Sequence, residues 1–330
     1  MTSISEWAGV FPAALTMFNQ DGSLDESGTR AHLTYLVDHG AHGVVVAGTS
    51  GEFITMTGTE RTRLVEIAAE AIGDRVPVIV GTGAASTRET VELTAAAATA
   101  GASAGLVILP YYMRPTRDEV LGHFRAVAAA SSIPILLYNN PANSGTDALD
   151  ARDIGMLYNE GALQGVKSTF PTVHQVAEAI DETGPDFRAF YGGFTAPLSG
   201  LAEGAHGWIS GVLNVALTEA VQLWEAVQKG DLETARTAAK TIRNYRYLYS
   251  RQPLGAVSDL ALYRGILRLR GEHGGYCRAP LRDLDAGQKS ALARIVSVLD
   301  HTNEPDLVRM DAAVADLTTG LASSLWNSGR

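Results

Sequence analysis

The sequence predicts an α/β fold, a (β/α)8 TIM barrel followed by a C-terminal helical extension. Short apolar runs alternate with amphipathic stretches eight times within about 230 residues, as repeated βα units around a parallel sheet would require. A doubly wound open sheet that binds a dinucleotide would need a GxGxxG loop after its first strand, and none is present there. The hydrophobic content of 46% in 330 residues is enough to bury one large core.

Each predicted strand is a short apolar run, rich in Val, Ile and Leu, that stops at Gly, Pro or polar residues. The eight predicted strands cover residues 10–17, 43–47, 76–81, 105–109, 133–138, 163–167, 187–191 and 207–210.

Amphipathic stretches between these strands predict the helices of the barrel. Asp25, after an Asp21-Gly22 turn, indicates the start of the first helix, and Pro171 in a first-turn position indicates the start of the sixth. The helices so predicted include residues 25–39, 59–72, 88–100, 117–131, 171–183 and 215–229.

The chain continues past the eighth βα unit with further helical patterns, at residues 232–248, 257–270 and 288–298. A last amphipathic segment, 306–325, fits either a helix or a frayed tail. No linker interrupts the chain, so we expect residues 1–230 to form the catalytic barrel. Residues 231–330 are expected to pack on it as helices and not to form an independent domain.

Composition limits the classes of partner. A net charge of −10 and a pI near 5.3 argue against nucleic acid and anionic membrane surfaces, which leaves small molecules or copies of the same chain. The single cysteine, Cys277, excludes an intrachain disulfide. Residues 1–18 lack the pattern of a secretory leader, and no segment is long and apolar enough to span a bilayer, so the expected location is cytoplasmic.

Lys167 is one of only four lysines and closes the sixth predicted strand. An amine at the end of a buried strand loses solvation, so its neutral form is favoured and can attack a carbonyl to form a Schiff base. Arginine cannot do so, because its guanidinium does not deprotonate. The alternative is an ordinary exposed lysine at a strand end.

Active sites of such barrels lie at the carboxyl ends of the strands, where two other features occur. The turn Gly48-Thr49-Ser50-Gly51-Glu52 follows strand two, and its backbone N–H groups could hold a carboxylate; alternatively it is an ordinary βα turn. Tyr138 ends strand five and is either a proton shuttle or a packed structural tyrosine. A Schiff-base enzyme needs a carboxylate site, a proton shuttle and an amine, and these features supply all three.

Four motifs taken together resemble the dihydrodipicolinate synthase and N-acetylneuraminate lyase superfamily, in order and spacing over roughly residues 8–300. They are Thr49-Ser50-Gly51-Glu52, Pro110-Tyr111-Tyr112, Tyr138-Asn139-Asn140-Pro141 and Gly165-Val166-Lys167.

The resemblance implies a pyruvate-dependent class I aldolase or lyase in which Lys167 forms the Schiff base and Tyr138 shuttles protons. Thr49 would relay protons from Tyr138, and Tyr112 of a neighbouring subunit would complete the relay. The family is also known for dimers paired into tetramers, so the resemblance implies a homo-oligomer.

The resemblance also implies substrate-binding roles at three further positions. Ser50 and the N–H groups beside it, including that of Gly51, would hold the pyruvate carboxylate. Ile209 falls where the family offers a backbone carbonyl to the bound keto acid.

Three positions depart from dihydrodipicolinate synthase itself. Asn143 stands where that enzyme has an arginine for the carboxylate of aspartate semialdehyde, and an amide cannot form that bidentate pair, which disfavours a carboxylate-bearing acceptor. Asn140 and Trp208 are similar to residues of the hydratase-aldolases that release aromatic aldehydes. The Trp208 indole could stack on an aryl ring or, alternatively, pack against the added helices.

We therefore expect pyruvate and an aromatic or uncharged hydroxylated aldehyde as substrates. The alternatives are 4-hydroxy-tetrahydrodipicolinate synthase, a 2-keto-3-deoxy sugar acid aldolase, or a catalytically silent barrel that binds a keto acid. We predict no cofactor and no metal, because the histidines are scattered; His32 and His174 are expected to be solvated helix residues.

Overall fold

The computed structural model describes residues 3–301 and contains eight parallel strands in the sheet order β1-β8-β7-β6-β5-β4-β3-β2. A parallel bridge from Ala13 to Val45, with Ala14 N–H donating to the Val45 carbonyl at 2.8 Å, joins the two end strands and closes the barrel. This confirms the predicted (β/α)8 barrel. The strands are Gly9–Pro12, Val44–Val46, Val78–Gly81, Ala104–Ile108, Ile135–Asn139, Gly165–Ser168, Arg188–Tyr191 and Gly207–Ser210 (β1 to β8).

Helices alternate with these strands, and each helix predicted between residues 25 and 298 has a counterpart. The barrel helices are Glu26–Asp38, Gly58–Ile72, Thr87–Thr99, Arg117–Ala129, Ala151–Asn159, His174–Asp181, Pro197–Ala202 and Leu217–Gln228 (α1 to α8). Short 3-10 turns occupy Ile4–Glu6, Phe53–Thr55, Pro141–Asn143 and Gly211–Asn214.

Local chemistry sets the helix starts. The Asp25 side chain accepts from the Gly28 N–H and caps α1 as predicted. The prediction for α6 was wrong at its start, because Pro171 precedes the helix. The helix begins at His174, and Val173 before it offers no side-chain cap, so nothing local fixes the first turn nearer to Pro171.

Side chains alternate between the barrel interior and the layer beneath the helices, as strand geometry requires. Phe11, Tyr138 and Ile209 belong to the buried interior cluster. Val10 and Trp208 belong to the larger cluster between the strands and the helices. The register of β1 with β8, Phe11 opposite Ile209 and Val10 opposite Trp208, keeps the two sets apart.

Three helices follow the barrel, Leu232–Ser250, Asp259–Leu269 and Ala286–His301 (α9 to α11). The α10 helix is buried on most of its surface, and its Arg264 bonds to the carbonyl of Thr16 near β1. The predicted segment 306–325 lies outside the described residues. Within residues 3–301 no helix is long and apolar enough to cross a membrane.

Candidate active site

Lys167 and Tyr138 lie side by side at the carboxyl end of the barrel. They are paired in the parallel register of β5 and β6, so their side chains point to the same face. The Lys167 Nζ atom lies 4.0 Å from the centroid of the Tyr138 ring. Only 6% of Lys167 and 7% of Tyr138 is exposed, so the structure confirms that this lysine is not an ordinary surface residue.

The Tyr138 hydroxyl is held by polar neighbours. The Nδ2 atom of Asn140 donates to it at 3.0 Å. Burial by itself would raise the pKa of Tyr138, but the charge of Lys167 and hydrogen bonds with Asn140, Thr49 and Lys167 outweigh it, and the net pKa is lowered. These contacts bring Thr49, Tyr138 and Lys167 together at the carboxyl end of the barrel.

The turn after β2 is compact and strained. Gly51 N–H donates to the Gly48 carbonyl and Glu52 N–H to the Thr49 carbonyl, both at 3.0 Å. Ala47 before the turn and Glu52 at its end have left-handed backbones, with φ of 50° and 57°. Such backbones are costly for residues other than glycine, so the surrounding structure must enforce them.

Ser50 lies against the end of β8. A Cβ atom placed on Gly211 would come within 2.3 Å of Ser50 Oγ, so any other residue at position 211 would force the Ser50 hydroxyl to move. Ile209, two residues earlier, is fully buried in the interior cluster with Tyr138. The Ser50 turn and the Ile209 strand are therefore neighbours at the mouth of the barrel.

Thr169 is a mouth residue that our sequence analysis missed. It follows Lys167 by two positions, and a Cβ on Gly192 would lie 2.1 Å from Thr169 Oγ1 and 3.0 Å from Lys167 Cγ. Its Oγ1 is buried and, like Asn140 Oδ1, has no hydrogen-bond partner among residues 3–298. The signal available in the sequence was this spacing of two, which places both side chains on one face of a strand.

The structure shows which way the Trp208 indole faces. Its indole is fully buried in the layer between strands and helices, and its Nε1 donates to the Gly193 carbonyl at 2.8 Å. Because Ile209 faces the interior, the preceding residue must face the other way. The ring therefore packs beneath the helices instead of presenting a face to the mouth.

Two predicted residues stand apart from the buried cluster. Tyr112 is 93% exposed, with a left-handed backbone at φ 72°, and its side chain turns outward from its own barrel. Asn143 is exposed at the end of the 3-10 turn after β5. Neither is among the partners of Tyr138 within this chain.

A cavity of about 610 Å³ opens at the same end of the barrel, between the loops that follow β4 and β5. Its lining is mostly polar and includes Arg114, Thr116, Ser144, Thr146 and Asp147.

The two histidines singled out in the sequence, His32 and His174, lie in different surroundings. His174 is exposed, as predicted. The expectation that His32 is solvated was wrong: it is 1% exposed and its Nε2 lies 2.7 Å from Asn214 Oδ1. In the described part of the chain, no group of three or more His, Cys, Asp or Glu side chains is arranged to hold a metal ion.

Comparisons with known proteins agree with this geometry. The model of the dihydrodipicolinate synthetase family matches residues 6–299. A DapA-like lyase of Halobacterium salinarum, itself uncharacterized, is 37% identical over 284 residues, which is 86% of this chain and 91% of that protein. A 4-hydroxy-tetrahydrodipicolinate synthase of Protochlamydia amoebophila is 33% identical over 294 residues, 88% of this chain and 96% of the relative.

A solved structure is similar over the whole barrel. It is YagE, a prophage protein of the dihydrodipicolinic acid synthase family from Escherichia coli K12, in complex with pyruvate. The two superpose with a TM-score of 0.81 at 28% identity, over 90% of this chain and 100% of that one.

Proposed function

The chain belongs to the dihydrodipicolinate synthetase family, and on that premise we propose that it joins or splits pyruvate and an aldehyde at Lys167. As a member of this family, the chain is a lyase that acts on a carbon–carbon bond through a Schiff base. The observation that carries the proposal is the buried Lys167 amine beside the Tyr138 ring and hydroxyl. YagE, which shares the fold, binds pyruvate.

The chemistry follows from these groups. The Lys167 amine adds to the C2 carbonyl of pyruvate, and loss of water gives an iminium. The iminium withdraws electrons, so a proton leaves C3 and an enamine forms. Carbon C3 then attacks the aldehyde carbon, the aldehyde oxygen takes up a proton, and water releases Lys167. The reverse path cleaves a 4-hydroxy-2-oxo acid.

Tyr138 suits the proton transfers. Its lowered pKa means that the phenol gives up its proton more readily than an ordinary tyrosine. Thr49 bonds to that hydroxyl and extends towards solvent, since its own side chain is exposed. We assign Thr49 the relay, Ser50 the pyruvate carboxylate, and the Ile209 carbonyl the bound keto acid. The Gly51 N–H donates to the Gly48 carbonyl and is therefore not free to bind that carboxylate, so we assign Gly51 to the turn alone.

The second substrate is proposed to be an uncharged hydroxylated aldehyde. Asn140 Oδ1 and Thr169 Oγ1, buried without partners in residues 3–298, could each accept a hydrogen bond from a substrate hydroxyl. An aromatic aldehyde is less favoured, because the Trp208 indole faces the helix layer. Asn143 supplies no charge for a carboxylate.

A second candidate rests on Arg114. This exposed guanidinium lines the polar cavity beside the Asn143 loop. Arg114 could bind the carboxylate of aspartate semialdehyde, which Asn143 cannot bind. Aspartate semialdehyde is the acceptor that the resemblance assigns to 4-hydroxy-tetrahydrodipicolinate synthase. Turnover of aspartate semialdehyde that is lost in Arg114→Met would favour this candidate over the hydroxylated acceptor.

The partner subunit is proposed to be a second copy of this chain. Ile54, Tyr112 and Met113 are 67%, 93% and 66% exposed on the loops after β2 and β4. Large apolar side chains are rarely left in water together, so a cover is expected. A second copy would bring the outward-turned Tyr112 to its neighbour's site.

Borohydride trapping tests the proposal. Wild-type protein treated with pyruvate and borohydride should carry one reduced adduct, which peptide mass spectrometry should locate on Lys167. Lys167→Arg should carry none. Lys229→Arg is the matched control, since Lys229 is exposed and pairs with Glu225 of the same helix turn. If the wild-type protein carried no adduct at any pH, a catalytically silent barrel that binds a keto acid would be the better hypothesis.

A further inference from the structure

Glu52 is a buried carboxylate at the end of the turn that follows β2, Gly48 to Glu52. It is 2% exposed and has the left-handed backbone noted above, with φ 57° and ψ 34°. Both of its oxygens are bonded: Arg264 Nη2 donates to Oε1 at 2.5 Å and the Arg278 backbone N–H donates to Oε2 at 2.9 Å. Both donors come from the chain that follows the barrel.

Arg264 ties this carboxylate to the end of β1. The same Nη2 donates to the Thr16 carbonyl at 2.8 Å, and the Thr16 hydroxyl donates to the Gly51 carbonyl at 2.8 Å. Nη1 donates to the Gly274 carbonyl at 2.9 Å. The contacts therefore form a closed ring from Arg264 through Thr16 and Gly51 to Glu52, around the base of the turn.

This ion pair differs from the others in the described part of the chain. The side chains of Arg264 and Glu52 are 0% and 1% exposed, whereas each other described pair has at least one partner exposed by 28% or more. Buried pairs of this kind are weak evidence for stability, since desolvation offsets the attraction. Such a pair can instead fix a conformation, and here the conformation is strained.

We infer that Glu52 and Arg264 are positioning residues that hold the turn after β2 in the form in which Ser50 binds the carboxylate of the 2-oxo acid. The inference rests on the proposed function. It makes α10, outside the barrel, part of the apparatus that recognises pyruvate. Glu52 acts through the turn and does not touch the substrate.

The test separates carboxylate recognition from general damage. Glu52→Gln keeps the size of the side chain but removes its charge and replaces one acceptor oxygen by a donor. We expect the KM for pyruvate to rise about tenfold or more, the cost of a disturbed charged hydrogen bond, with kcat at saturation changed less than about threefold. Reductive trapping of acetone on Lys167 should stay unchanged, because acetone has the ketone but no carboxylate.

Asp283→Asn provides the matched control. Asp283 pairs with Arg268, which lies on α10 one turn after Arg264, and this pair does not contact the strand-two turn. Asp283→Asn should keep the wild-type KM for pyruvate. Its loss of thermal stability should be smaller than that of Glu52→Gln, because the Asp283–Arg268 pair is partly exposed whereas the Glu52–Arg264 pair is buried. If Glu52→Gln does not fold, Arg264→Lys, which keeps a cation, should show the same split between KM and kcat.

Two results would overturn the inference: a folded Glu52→Gln with unchanged KM for pyruvate, or an equal loss of pyruvate and acetone trapping. Failure of the wild type to trap pyruvate would remove the proposed function and this inference together. Trapping in the wild type with an unchanged KM in Glu52→Gln would remove only the inference.

Discussion

The amine of Lys167 lies over the face of the Tyr138 ring, with Nζ 4.0 Å from its centroid. The parallel register of β5 and β6 fixes this pair, since the two residues are directly opposite. The ring therefore has two roles: its face limits where the amine can go, and its hydroxyl exchanges protons.

The two roles can be separated with Tyr138→Phe, which keeps the ring and removes the hydroxyl. We expect kcat to fall about 10²- to 10⁴-fold, the range of general acid–base catalysis, with the thermal midpoint close to that of the wild type. Tyr158→Phe, on α5 and packed against Phe187, is the control and should retain activity. A kcat for Tyr138→Phe within threefold of the wild type would argue against the shuttle.

Asn140 and Thr169 should select the aldehyde. Thr169→Val removes the unpartnered hydroxyl with little change of shape, so we expect the KM for hydroxylated aldehydes to rise about 5- to 30-fold, as the loss of one hydrogen bond implies. The KM for a simple aliphatic aldehyde should not change. Steady-state kinetics with a matched pair of aldehydes, with and without the hydroxyl, measure this. Equal effects on both aldehydes would contradict the proposed acceptor.

The sequence predicts which residues lie at the ends of strands. It predicts less well on which face of the strand a side chain lies. Lys167 and Tyr138 could be placed together because parallel strands carry their active sites at their carboxyl ends. The two alternatives for Trp208 stayed open because that rule gives the position along the strand and not the face. The face became clear only with the register that places Ile209 opposite Phe11.

Contacts between residues far apart in the chain could not be predicted from the sequence. Glu52 and Arg264 are 212 residues apart, and neither has a local pattern that points to the other. His32 likewise looked like a solvated helix residue until the fold placed it against Asn214, 182 residues away. Burial of polar groups depends on packing between elements, which periodicity in one element does not contain.

Trp208 should affect stability and not substrate choice. Trp208→Phe leaves the Gly193 carbonyl without its donor and creates a small cavity, so we expect the free energy of unfolding to fall by about 1–3 kcal/mol. The ratio of kcat/KM for aromatic and aliphatic aldehydes should stay within about twofold, because the ring lies away from the mouth. Trp224→Phe, on α8, is the control. A fall in kcat/KM confined to aromatic aldehydes would instead support stacking of the Trp208 indole on the substrate.

Tyr112 should require a partner subunit. If it completes the relay in a neighbouring site, activity per chain should fall when dilution dissociates the assembly, and Tyr112→Phe should lower kcat without changing the assembly. Activity assays over a concentration series, with sedimentation at the same concentrations, measure both. Full activity in a monomer would exclude the shared relay.

His32 should make the fold sensitive to mild acid. Burial lowers its pKa to about 4, from 6.5, and the hydrogen bond with Asn214 opposes this only partly. Between pH 6.5 and 4 the unfolded chain therefore binds a proton at this position that the folded chain does not. The free energy of unfolding should fall by about 3 kcal/mol as the pH drops through this window, and should be unaffected by His32 above it.

Carboxylates also titrate in acid, so the contribution of His32 must be isolated by substitution. His32→Gln can still donate to Asn214 Oδ1 but cannot take up a proton. Urea unfolding should be measured at about pH 7.5, 5.5 and 4.5, conditions set by that window. The free energy of unfolding should fall less with pH for the variant than for the wild type. If the free energy of unfolding fell equally with pH in both proteins, His32 would take up its proton in the folded protein as it does in the unfolded chain. Its burial beside an amide, at 1% exposure, makes that unfavourable.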